Sequence, residues 1–312
     1  MIRLLVLLLT FALHINVFAG EAELRYVKEQ LAKMPSEDRE KLHLFFEALM
    51  ETYFPYTLFG DKPVSEERYN LEAEKFRKRS CLANGKRVWE KYAALFPSPN
   101  FILKFYTCGS SVEVYLINKK AFLTTVEAHL KLFKAVLGEN TTPENLLEYI
   151  RQDSTNHFKA LRGHSLLIGL LHGYGYANSS AFHKIDVYEQ ATGKWLEPPY
   201  QPVKEDLSDD ELMRIVKYPY NYFCSTNVKL PPEFRRLLQE EEAISTHANK
   251  PECDDSSSSA LTLLPLPGFR MLVDDPESAA IKQKYIETRR KIIQAYAEGD
   301  FLEVTLCKLI EK

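Results

Sequence analysis

Residues 101–117 read FILKFYTCGSSVEVYLI, and they set the class of the molecule. Phe101 to Tyr106 is rich in aromatic and β-branched side chains, and Val112, Val114 and Leu116 alternate with Glu113, Tyr115 and Ile117. A period of two with these residue types is the pattern of β-strands. Cys108-Gly109-Ser110-Ser111 between the halves supplies a hairpin turn. The regular patterns on either side have a helical period, so the expected class is helix-dominated α+β, a multi-helix core with a small antiparallel sheet or hairpin.

Toward the N-terminus, Leu24, Val27, Leu31 and Met34 fall at helical spacing, and Leu42, Phe45, Phe46, Leu49, Met50 and Tyr53 repeat the stripe. Pro35-Ser36 separates the two helices, with Ser36 expected as the N-cap ahead of Glu37 and Asp38. Phe54 to Val64 reads as irregular because of Pro55, Gly60 and Pro63. Ser65 is then expected to cap a helix from Glu66 toward Ser80, broken near Asn84-Gly85 and resuming with Trp89, Tyr92, Ala93 and Phe96 on one face.

Toward the C-terminus, Phe122, Val126, Leu130, Phe133 and Leu137 mark a helix ended by Gly138, and Thr142-Pro143-Glu144 opens the next. Asn156 to Tyr174 is expected to be one buried helix, since Leu166, Leu167, Ile168, Leu170 and Leu171 leave almost no polar face; Gly173-Tyr174-Gly175 stops it. A short helix covers Asn178 to Val187. From 188 to 267 regularity fades among prolines, with short helices at Asp209 to Lys217 and Pro232 to Glu242 and a mobile loop over 245–260. Phe269, Met271 and Val273 alternate as a possible third strand. Asp275-Pro276-Glu277 begins an amphipathic helix carrying Ile281, Tyr285, Thr288, Ile292 and Tyr296, and a last helix follows Gly299.

The chain has 312 residues, 45% of them hydrophobic, so a packed core is available; a net charge of -3 gives no electrostatic pull toward nucleic acid. Arg3, the apolar run Leu4 to Leu13 and Val17-Phe18-Ala19 form a tripartite secretory pattern, too short to span a bilayer permanently. The expected organisation is a signal peptide over 1–19 and a single helix-rich domain over 20–312. No integral membrane segment is expected after cleavage, because Leu166 to Ala177 is short and interrupted by Gly169, His172 and Gly173. Five scattered cysteines, at 81, 108, 224, 253 and 307, include no C-x-x-C and leave at least one thiol unpaired.

Candidate sites are few. His157, His164 and His172 lie on the one expected helix within a sector of about 80°, but rises of about 10.5 and 12 Å between neighbours argue against a single shared ion. His172 with His183 from the following helix is the remaining ligand or acid–base pair. Gly163-His164-Ser165 matches half of a nucleophile elbow, with Ser165 in the nucleophile position; the second glycine is missing, and the residues before it read as helix. Tyr218, Tyr220, Tyr222 and Phe223 put four aromatics in an irregular region, suited to stacking on a sugar or on a protein partner. No metal-ligand set and no cofactor motif is named by the sequence, and Asp209-Asp210 and Asp274-Asp275 read as helix caps.

Three stretches carry a resemblance: Tyr56 to Val64 (YTLFGDKPV), the leucine-rich helix ending in Gly173-Tyr174-Gly175, and the end of the chain from Lys284-Tyr285 through Arg289 to Phe301-Leu302-Glu303. Together they resemble exported proteins of intracellular Gram-negative bacteria that have no characterised activity. The resemblance implies a periplasmic or surface address and transfers no catalytic residue. The sequence thus favours an exported, non-enzymatic interaction or binding protein with a protein or glycan partner. The competing class is a hydrolase or metal-dependent enzyme using His172 and His183, or Ser165.

Overall fold

The computed structural model describes residues 20–70, 77–192, 264, 266–267 and 275–311. The expected signal peptide, the short helices and loop between 209 and 260, the strand through Phe269, and Tyr218, Tyr220, Tyr222 and Phe223 lie outside the described residues. The fold is helix-dominated α+β with a three-stranded antiparallel sheet.

In chain order the elements are α1 (Glu21–Ala32), α2 (Ser36–Met50), α3 (Phe54–Leu58), β1 (Val64–Asn70), α4 (Arg77–Tyr92), β2 (Phe101–Cys108) and β3 (Ser111–Asn118). Then follow α5 (Lys119–Ala128), α6 (Leu130–Leu137), α7 (Pro143–Arg151), α8 (His157–Ala160), α9 (Ser165–Leu171), α10 (Tyr176–Thr192), α11 (Pro276–Glu298) and α12 (Phe301–Ile310). Among the described residues no helix is long and apolar enough to cross a membrane.

The hairpin forms as its sequence dictates, with Cys108 opposite Ser111 across a two-residue turn. The third strand is a correction. Residues 64–70, expected to begin a helix capped by Ser65, instead pair antiparallel with β3, from Val64 opposite Ile117 to Asn70 opposite Ser111. VSEERYN has local helix formers, but β3 would otherwise keep an open edge, and pairing supplies its backbone partners. The strand order β1-β3-β2 puts β3 in the centre, where Val112 to Ile117 are all buried.

Side chains alternate across this sheet, so its two faces differ. Val112, Val114, Leu116, Phe101 and Tyr69 join the main apolar cluster with α1, α2, α4 and α12. Val64, Tyr115 and Ile117 face a second cluster built from α5 to α9. On that second face two cross-strand rows are polar: Lys104, Tyr115 and Glu66, then Tyr106, Glu113 and Arg68.

Other expectations change in detail. Pro35 rather than Ser36 occupies the N-cap position of α2 and provides no side-chain bond, while Glu37 and Asp38 sit in the first turn as expected. Phe54–Leu58 forms a short helix that accommodates Pro55 in its first turn, where a missing N–H costs nothing. α4 runs through Asn84-Gly85 without a break. The helix expected after Lys119 is two helices, because His129 leaves helical geometry at φ -119° and ψ 24°.

Asn156 to Tyr174 is likewise not one helix. Arg162 and Gly163 take φ of 54° and 66°, a left-handed pair that ends α8 and re-aims the chain before α9. Gly163 enters this region without steric cost; Arg162 is held there by its guanidinium, which donates to the carbonyls of Val136 and Leu137. α10 and α11 then pack together, with the Glu277 carboxylate accepting from the backbone N–H groups of Tyr176 and Ala177 at the start of α10.

Candidate functional site

The polar rows on the second sheet face open into a cleft of about 470 Å3 walled by α8, α9 and α10. Glu66 and Arg68 form its sheet side. Phe158, Ile168 and Phe182 supply much of the apolar wall.

His157 is the first residue of α8, a helix capped by the Asn156 side chain, which accepts from the Lys159 N–H. Its ring meets Tyr115 edge-on, with centroids 5.0 Å apart. His172 caps the far end of α9. The broken helix folds these two residues together, so that their Nε2 atoms lie 3.1 Å apart. His157 Nε2 is also 3.6 Å from Glu66 Oε2, and the three donor atoms all fall within 4.8 Å of one another.

The surroundings set the charge states. Burial pushes the Glu66 carboxyl up to about 7, aided by the nearby Glu113 charge. Burial also acts to raise Glu113, but hydrogen bonds from Tyr115 and Asn156 and the Arg68 guanidinium outweigh it and hold Glu113 below the usual carboxylate range. The Tyr115 hydroxyl and Arg68 both donate to Glu113, and Asn156 Nδ2 donates to it at 2.8 Å. Burial takes His157 down to about 4 and His172 well below its ordinary value, with the positive charge of Lys62 adding to both shifts. Both imidazoles are therefore neutral at pH 7.

Lys62 is itself fully buried, and burial lowers its ammonium to about 7. Its Nζ donates to the carbonyls of Val64 at 2.6 Å and His172 at 2.7 Å, tying the start of β1 to the end of α9. Lys104, on the same sheet face, donates to three carbonyls, those of Ile150, Gln152 and Thr155. This fixes the segment that delivers Asn156 and His157.

The sequence candidates are thus redistributed. His172 meets His157, not His183. His183 instead receives Ser165: Oγ and Nδ1 are 2.7 Å apart, and the His183 ring stacks on His164 with centroids 4.2 Å apart. Ser165 is the first residue of α9 and lines the cleft. Sequence reasoning missed Glu66, Lys62 and the pairing of His157 with His172. The one signal available was Gly163 inside an otherwise helical run; the strand that carries Glu66 has none within its own residues.

Compared with protein-family models, with curated proteins and with solved structures, the chain has no match. The reading of the cleft therefore rests on its own geometry.

Proposed function

We propose that the cleft is a metal-dependent catalytic site in which Glu66, His157 and His172 hold one divalent transition-metal ion. The observation that carries this is the donor spacing. Two donors each ~2.1 Å from a tetrahedral ion lie about 3.4 Å apart. The separations of 3.1 Å between the imidazole Nε2 atoms and 3.6 Å from His157 Nε2 to Glu66 Oε2 bracket that figure. Neutral imidazoles are the form that binds metal. Two histidines and one carboxylate leave coordination positions open toward the cleft, the pattern of catalytic zinc and non-haem iron centres. An ion so placed supplies Lewis acidity to a bound substrate.

One contact opposes the assignment. The two Nε2 atoms at 3.1 Å are at hydrogen-bond distance, and holding an ion requires both to be unprotonated; that puts the His157 proton on Nδ1, a buried atom with no hydrogen-bond partner among the described residues, at a cost of about 1–3 kcal/mol. Zinc held by protein side chains contributes on the order of 10 kcal/mol or more, which decides the balance. The alternative role as a non-catalytic interaction protein rests on the export signal, the helical core and the lack of a catalytic constellation in the sequence; three donors converging at the wall of a cleft favour the enzyme class instead.

We further propose that the protein works after export, on the strength of Arg3, the apolar run Leu4 to Leu13 and Ala19. Cell fractionation with N-terminal sequencing of the product tests this; a cytosolic product starting at Met1 rejects it. For the metal, chelator-treated protein is titrated with Zn2+ by calorimetry, alongside Glu66→Gln and His172→Ala. One ion per chain is expected, with affinity lowered about 100-fold or more in each variant. A folded wild type that takes up no stoichiometric zinc, or variants that bind as tightly, would reject the centre.

A further inference from the structure

The Ser165–His183 pair stands apart from the three donors and calls for its own explanation. Ser165 and His172 are seven residues apart on one stretch of helix, about two turns and ~10.5 Å of rise, so the cleft has two chemically distinct ends. At the second end a serine hydroxyl faces the cleft with its Oγ 2.7 Å from an imidazole nitrogen. The histidine is buried, and its ring plane is fixed by stacking against His164 at 4.2 Å and 26°. With the proton on Nε2, His183 Nδ1 accepts the Ser165 hydroxyl proton, the relation between a serine nucleophile and its general base. The left-handed Arg162–Gly163 pair restarts the chain so that Ser165 is the first residue of α9 rather than a helix-interior one, whose hydroxyl would turn back to the preceding carbonyls.

We infer that Ser165 is an acyl-accepting nucleophile with His183 as its general base, and that the cleft takes carboxylic esters. Ser165 Oγ bonds to the ester carbonyl carbon while its proton passes to His183 Nδ1. The carbon–alkoxide bond then breaks, and the alcohol leaves with that proton. Water, deprotonated by His183, adds to the acyl carbon, releasing the carboxylic acid and restoring the serine. No oxidant and no metal ion enters these steps, and the apolar wall of Phe158, Ile168 and Phe182 suits a short acyl or aromatic group.

The test is covalent labelling of chelator-treated full-length protein with a fluorophosphonate, followed by peptide mapping, with p-nitrophenyl acetate turnover in parallel. A single adduct on Ser165 is expected, lost in Ser165→Ala and formed about 100-fold more slowly in His183→Gln. Zinc titration of the same variants is expected to match wild type, which separates this result from the fate of the metal centre. Labelling that avoids Ser165, or that proceeds at the wild-type rate in folded His183→Gln, overturns the inference. Should His183→Gln not fold, mapping of the wild type decides alone, because no adduct on Ser165 is then sufficient to reject it.

Discussion

Gly85→Ala sets two effects of known size against each other. Gly85 lies within α4, and an exposed helical glycine replaced by alanine gains roughly 1 kcal/mol from backbone propensity. Here the missing Cβ is where α2 crosses. A Cβ built on Gly85 would lie 2.7 Å from Phe45 Cδ2 and closer still to Phe45 Cβ and Cγ, whereas carbon atoms in contact sit ~3.5–4.0 Å apart. Phe45 cannot swing clear: it is fully buried and packs edge-on against Phe46 at 5.1 Å, and its Cβ moves only with the α2 backbone. The two helices must therefore separate. Overpacking of this kind costs about 1–3 kcal/mol and at times more, and the upper end applies where backbone has to shift. After subtracting the propensity gain, the expected net loss is about 2 kcal/mol, which at ~2.1 cal/mol/K per residue lowers the melting temperature of a domain of this size by roughly 3 °C. Differential scanning calorimetry of the two proteins reads this directly. A melting temperature equal to or above wild type would refute the close α2–α4 crossing.

Lys104→Met leaves the carbonyls of Ile150, Gln152 and Thr155 without their shared donor, and a loss of about 3 kcal/mol is expected as a lower urea midpoint. Because the same segment delivers His157, zinc affinity should weaken in folded Lys104→Met; unchanged affinity would show that the segment holds its place without the lysine. Burial raises the Tyr69 phenol to about 12 and pushes Tyr56, Tyr285 and Tyr296 above their ordinary value as well. A phenol whose folded value exceeds its unfolded value of about 10 contributes stability below pH 10 that is lost as pH rises through the folded value. Urea midpoints should therefore fall from pH 9 to 11, with tyrosinate absorbance near 295 nm appearing as the protein unfolds; a flat midpoint counts against their burial.

Where local chemistry decides, the fold was legible. Asp275 caps α11 through the Ser278 N–H, Thr142 caps α7 through the Asn145 N–H, and Asp300 caps α12 through the Glu303 N–H. Each sits beside an apolar stripe of helical period, so boundary and type could be read within a few residues. Tyr285, Thr288, Ile292 and Tyr296 are buried as their spacing predicts. β1 was not legible, because nothing within VSEERYN says strand. Its state depends on β3, whose pairing partners are 41 to 53 residues away in sequence, and tertiary pairing overrides weak local preference.

The site failed to read for a related reason. On an unbroken helix, His157 and His172 would stand about 22 Å apart, and rejecting a shared ion was the correct consequence of that premise. The left-handed Arg162–Gly163 pair removes the premise and turns the separation into a 3.1 Å contact.

The composition of the contact also argues for work rather than for stability. Glu66, Glu113, Lys62, His157 and His172 occupy one side of a sheet whose other side is packed with Val112, Val114 and Leu116. Burying ionisable groups is costly, and an apolar set of the same shape commonly folds as well or better. The arrangement confers something an apolar set could not: two neutral imidazoles and a carboxylate converging at the wall of a cleft. Local departures from folding economy concentrate where a protein does chemistry. By that argument the Glu66→Leu, His157→Leu, His172→Leu triple variant should fold without loss of stability while losing zinc uptake. A triple variant that unfolds would instead mark the cluster as a structural one.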